Sequence, residues 1–215
     1  MSRPLSHGDR EALHELAPVL RRAVGLDPRS LARLRLGRNA AAALVRLPFG
    51  VLVARTVEAA AREGTADLTV RAGELLAWLD GETDELPATR DVEWRSGLPP
   101  VDGWARVEAV PDDVVRPLVR SGALTLKEAA QREGVPGAQP RAEVADALLD
   151  STVLTVEDDD GTRAEVTLRA LSALTRMGFL PRGGRAHIDV HGRWTRVVAE
   201  YGTVYLERPG GLTLR

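Results

Sequence analysis

Apolar and polar positions recur with two different periods along this chain, and each period predicts a different kind of element. Near the amino end Leu13, Leu16, Leu20 and Ala23 follow helical spacing. Ser6 with Asp9 forms a capping box before them, Pro18 must kink or split the helix, and Gly25 ends it. The next element, LARLRLGRN after Pro28 and Ser30, alternates Leu with Arg and suits a short strand or an Arg-rich helix. Ala40 to Leu47 reads as helical from its alanines, and Thr69 is expected to cap a helix over Val70 to Asp80. A further helix is expected near Asp112 to Gly122, with Pro117 kinking its first turns.

From Thr152 the period becomes two. Leu154, Val156, Ala164, Val166 and Leu168 share one side, while Thr155, Glu157, Arg163 and Glu165 share the other. Asp160-Gly161 marks the hairpin turn between them. Thr167 is placed to cap a helix over Arg169 to Met177, Gly178 to stop it in the left-handed region, and Pro181 to prevent its continuation. A meander follows, Ala186–Val190, Arg193–Ala199 and Thr203–Glu207, with turns at His191-Gly192 and Tyr201-Gly202.

One stretch occurs twice. Glu58 to Asp80 and Glu128 to Asp150 match at 11 of 23 positions without a gap, including two Arg-Glu-Gly triplets and an equal spacing to the next Arg. The pattern predicts a duplicated unit. In the second copy Leu126, Ala129, Ala130 and Glu133 are helical in spacing, and Gly134 fits a helix end. Val135 to Gln139 makes a short link, and Pro140 opens a second helix with Val144, Ala147 and Leu148 on one face. Helix, tight link, helix, hairpin is the element order of winged helix-turn-helix modules, by analogy alone. The expected fold is therefore α+β: two pseudo-repeated, winged-helix-like helix-turn-helix units with a C-terminal antiparallel β meander. The expected division is a helical unit with the first copy over 1–85, a linker packed on the core over 86–111, and the second copy with hairpin, helix and meander over 112–215. Trp94 and Trp104 argue that the Pro-rich linker docks on a core.

Composition narrows the chemistry. With 44% hydrophobic residues the chain can bury a core, and with no Cys it has neither disulfides nor a thiol nucleophile. The first ten residues are polar, so no secretory signal is expected, and Ala40 to Ala54, interrupted by Arg46, is too short and too charged to span a bilayer. A cytoplasmic protein without a membrane partner follows. Arg outnumbers Lys 28 to one, a bias suited to a GC-rich bacterial genome.

The net charge of −2 hides segregation. Residues 21–55 hold eight Arg against one Asp and residues 169–196 six Arg against one Asp, while 58–93 and 108–165 are strongly acidic. The blocks either pair on the folded surface or converge on phosphate or an acidic partner. The candidate anion- or nucleic-acid-binding residues are Arg33, Arg35, Arg38, Arg182, Arg185 and Arg193. Arg182 and Arg185 flank two glycines that let a backbone approach an anion.

His187, Asp189 and His191 would share one face of a strand and are weak metal candidates. The two imidazoles stand about 13 Å apart on a straight strand, too far for one ion. Glu157 to Gly161 lacks the carboxylates that a calcium loop needs at its first and last positions. No Walker loop, dinucleotide fingerprint, zincin motif or nucleophile elbow occurs, so no catalytic residue and no cofactor are nominated. The favoured reading is a non-catalytic protein–protein adaptor. The alternative is a tandem winged-helix-like regulator that binds nucleic acid through segments 21–55 and 169–196, because the second helix of each repeat copy is acidic and would be repelled by phosphates. A small enzyme without a recognisable motif is the remaining class.

Overall fold

The computed structural model describes residues 5–59, 64–131 and 138–208. The chain divides into two compact units, Met1–Leu98 and Pro99–Arg215.

The first unit opens with a broken helix: a turn at His7–Asp9, α1 over Arg10–Leu13, a turn at His14–Leu16 and α2 over Ala17–Leu26. Ser6 N–H donates to Asp9 Oδ2 at 2.9 Å, and Pro18 falls in the first turn of α2, where its missing N–H costs nothing. Four antiparallel strands follow: β1 (Leu31–Leu36), β2 (Ala40–Arg46), β3 (Leu52–Glu58) and β4 (Ala66–Arg71), in the order β4-β1-β2-β3. The helix α3 (Ala72–Leu79) packs on α2. On β1 the alternation resolves as strand: Ala32, Leu34 and Leu36 are buried, while Arg33 and Arg35 lie on the other face.

The second unit contains β5 (Ala105–Pro111), α4 (Asp112–Gln131), α5 (Ala138–Asp150), β6 (Thr152–Glu157), β7 (Arg163–Thr167), α6 (Leu168–Arg176), β8 (Arg185–His191), β9 (Trp194–Ala199) and β10 (Gly202–Glu207). β6 and β7 form a two-stranded hairpin; β10, β9, β8 and β5 make an antiparallel sheet in that order. α6 buries Leu168, Ala170, Leu171, Ala173 and Leu174 and packs against α4, β9 and β10. Among the described residues no helix is long and apolar enough to cross a membrane.

Three strands run into helices with no linking residue: β4 into α3, β5 into α4 and β7 into α6. The first amide of a helix normally lacks an intrahelical partner. Here each donates to the carbonyl just before the paired strand. Ala72 N–H reaches Ser30 O at 2.9 Å, Asp112 N–H reaches Gly184 O at 3.0 Å, and Leu168 N–H reaches Ser151 O at 3.0 Å. The ladder is thus carried one position into the helix. This strand-to-helix corner is the unit that recurs.

The expected helix-turn-helix repeats are overturned. Their first copy runs from the end of β3 through β4 into α3, whereas the second lies across the end of α4 and α5. In Asp67-Leu-Thr-Val-Arg71 the period is two. Leu68 and Val70 are buried, and all of β4 pairs with β1, so strand pairing overrides the local identity with the second copy. The Arg-Glu-Gly triplets and the Val135–Gln139 link lie largely outside the described residues. The helix expected over Ala40 to Leu47 is the strand β2, held between β1 and β3 with Ala41, Ala43 and Val45 buried; pairing outweighs alanine's helix propensity. The helix expected from Val70 begins at Ala72, and Thr69 is buried within β4 rather than capping it.

Candidate functional site

In the first unit, Arg33 Nε lies 2.7 Å and Arg35 Nε 3.8 Å from the Asp67 carboxylate across the β1–β4 pair. The Arg33 guanidinium also sits 5.8 Å from the Trp94 ring centre, and the Trp94 indole N–H donates to Ser96 O. The outer edge of β4 is covered by the chain at Arg90 and Asp91: Arg90 N–H donates to Thr69 O, and Thr69 N–H to the Asp91 carboxylate. Arg38 is exposed in the β1–β2 turn. In the second unit, Arg185 donates to Ala109 O at 2.7 Å, Arg193 pairs with Glu207 at 2.6 Å, and Arg182 is exposed in the loop after α6. Arg33 and Arg35 therefore share one carboxylate in the first unit, and with Arg185 and Arg193 in the second unit four of the six are committed to partners within the fold.

His187 and Asp189 belong to a network on the polar face of the second sheet. Asp189 is only 1% exposed. One carboxylate oxygen accepts from Arg106 Nε on β5 and the other from Arg196 Nε on β9, the latter at 2.7 Å. Arg106 Nη1 lies 2.7 Å from His187 Nδ1. A guanidinium only donates, so this nitrogen accepts and the ring is neutral. Burial, then the Arg106 and Arg185 charges, hold the His187 pKa below the ordinary histidine value, against the opposing pull of Asp189. The Arg196 guanidinium stacks 4.4 Å from the Trp104 ring centre, and Trp104 meets both His191 and Tyr205 at 5.9 Å. Gly103, at φ 74°, lies so near His191 that a Cβ would stand 3.1 Å from its ring. With the Asp189 oxygens and His187 Nδ1 engaged, this face is a structural lock. Among the described residues no group of three His, Asp or Glu could hold a metal ion.

The second unit also holds a cleft of about 640 Å³ between α4 and the end of α6. Asp112, Asp113, Arg116, Pro117, Val119 and Arg120 line one wall; Thr175 and Arg182 complete it. Arg116 donates to Asp112 Oδ2 at 2.9 Å and to Leu180 O at 2.8 Å. The hydrogen bond from Arg116 holds the Asp112 carboxyl below its ordinary range. Arg120 and Arg182 have no partner among the described residues. The sequence singled out Arg182 but not Arg120, whose position opposite that loop depends on the α4–α6 packing.

Comparisons with known proteins place the fold. The structure resembles the DNA polymerase III subunit beta of Pseudomonas aeruginosa (12% identity, TM-score 0.59, 94% of this chain and 64% of that one). It also resembles the DNA polymerase sliding clamp of Caulobacter crescentus (11%, 0.57, 96% and 65%) and the Helicobacter pylori beta clamp in complex with carprofen (11%, 0.54, 96% and 65%). The chain thus spans just under two thirds of the length of these clamps. At such identity the likeness is one of fold, and that fold is the sliding-clamp fold, not a pair of winged helices. No curated protein matches the sequence. Residues 1–96 match a domain of unknown function, DUF8010. Through residues 99–211, more than half its length, the chain belongs to the family described as domain of unknown function DUF8185.

Proposed function

We propose that the chain is a non-catalytic, cytoplasmic protein-interaction scaffold with a DNA-linked role. The observation that carries this reading is the likeness of 94–96% of the chain to DNA polymerase sliding clamps. The polar network around Asp189 supports it, because those side chains hold strands together instead of facing a substrate. A scaffold of this kind gathers protein partners and meets DNA through charge.

The test is binding of the purified chain to a random-sequence duplex, read by fluorescence anisotropy as salt is raised. Contact with several phosphates predicts measurable affinity at about 50 mM salt and a steep log–log decline, with a slope near −0.9 per phosphate neutralised. Absence of binding at that salt removes the DNA-linked half of the proposal. A binding curve that ignores salt contradicts phosphate contact altogether.

A further inference from the structure

We infer that the cleft between α4 and the end of α6 receives a peptide segment of a partner protein in which a carboxylate side chain stands beside an apolar one. This rests on the scaffold reading and names the chemistry of one partner contact.

Three features of the cleft select that occupant. Its volume, about 640 Å³, lies within the range of sites that enclose a small ligand or a few side chains. Arg120 and Arg182 line it with no partner among the described residues, so two guanidiniums are available for a carboxylate, which their planar fork matches. Pro117 and Val119 supply apolar surface between the charges. The Thr175 hydroxyl is turned back on the carbonyls of Leu171 and Ser172 and is not offered to a ligand.

Charge then decides between peptide and nucleic acid. The Asp112–Arg116 pair cancels within the wall, which leaves Asp113 against Arg120 and Arg182. The remaining balance is a single positive charge. A duplex brings one phosphate charge for about every 1.7 Å of its axis and would press several of them against Asp113. A peptide brings one carboxylate to the arginines and can turn a backbone N–H toward Asp113.

The experiment titrates the isotopically labelled full chain with acetyl-Leu-Asp-Leu-amide and, separately, with acetyl-Leu-Asn-Leu-amide. Amide shifts are followed at Val119, Arg120, Thr175 and Arg182. The acidic peptide is expected to shift these residues, and the Asn peptide to bind about tenfold more weakly. The double variant Arg120→Gln/Arg182→Gln, at exposed positions that fold does not require, is expected to bind the acidic peptide about tenfold more weakly than the parent chain. Asp113→Asn is expected to tighten it by removing a like charge. The inference is overturned by no shifts in the cleft, by equal binding of both peptides, or by an unaffected double variant. It is equally overturned if the double variant keeps the peptide and loses affinity for duplex DNA, which assigns the cleft to phosphate. Failure of the chain to bind any duplex would count against the DNA-linked proposal and leave the peptide result standing, so the two are separable.

Discussion

Replacing Asp189 with Ala lowers the melting temperature by on the order of 10 °C. The side chain is buried, and each carboxylate oxygen holds a guanidinium from a different strand, Arg106 on β5 and Arg196 on β9. Removing the acid strands both cations. Arg106, with its side chain 52% exposed, regains water readily; Arg196, at 23%, does so poorly. Breaking a buried pair by deleting one partner costs about 3–5 kcal/mol, and the exposure of Arg106 brings the expected loss to roughly 3 kcal/mol. The Arg196 guanidinium also loses the anchor that keeps it over Trp104. Tryptophan fluorescence of the folded variant should therefore change along with its stability. Asp189→Asn, which keeps the shape and part of the hydrogen bonding, falls between. Thermal unfolding followed by circular dichroism decides: a loss below about 1 kcal/mol would mean an exposed ion pair and not a lock.

In the first unit, Trp78→Ala costs about 4 kcal/mol. Trp78 is fully buried on α3 beside Leu75 and Leu79, and Arg10 lies 5.2 Å above its ring centre. The truncation removes a fully buried indole and leaves a cavity between α3 and its neighbours. Trp78→Phe costs much less, about 1 kcal/mol, since the indole N–H is buried without a partner among the described residues and its removal relieves that penalty. Urea unfolding with an unchanged slope separates these outcomes from a change in the denatured state. Equal losses for Ala and Phe would contradict the packing described.

Elements whose signals are local were legible in the sequence. Asp158 to Gly161 turns the β6–β7 hairpin, the Thr167 side chain accepts from Ala170 N–H at the start of α6, and Gly178 adopts φ 64° after its end. The terminal strands β8, β9 and β10 begin and end within one residue of the expected bounds. Elements that depend on distant partners were not legible. β2 is a strand because Ala41, Ala43 and Val45 face Val57, Arg55 and Val53 across the sheet, and nothing within AAAALVR announces that pairing. The repeated segment misled for a related reason. Its shared Ala, Arg and Glu are compatible with either structure, whereas the corner that does recur is defined by backbone bonds such as Ser30 to Ala72 and leaves little trace in side chains.

The site divides in the same way. The alternation His187, Asp189, His191 marked a polar face of the strand but not the partners of Asp189. These are Arg196 on the neighbouring β9 and Arg106, far away in sequence and brought in by the β5–β8 register. The sequence left open whether Arg33 and Arg35 pair with acids or meet an anion, and the β1–β4 register sets Asp67 beside them.

Everything functional here rests on the sliding-clamp fold with its strand-to-helix corners, and amide hydrogen exchange on the full chain examines that most directly. Slow exchange is expected at Ala72, Asp112 and Leu168, first residues of helices whose amides would otherwise face solvent, together with cross-strand contacts between Ala41 and Val57. Fast exchange at all three amides, with helical sequential contacts through residues 40–47, would contradict it.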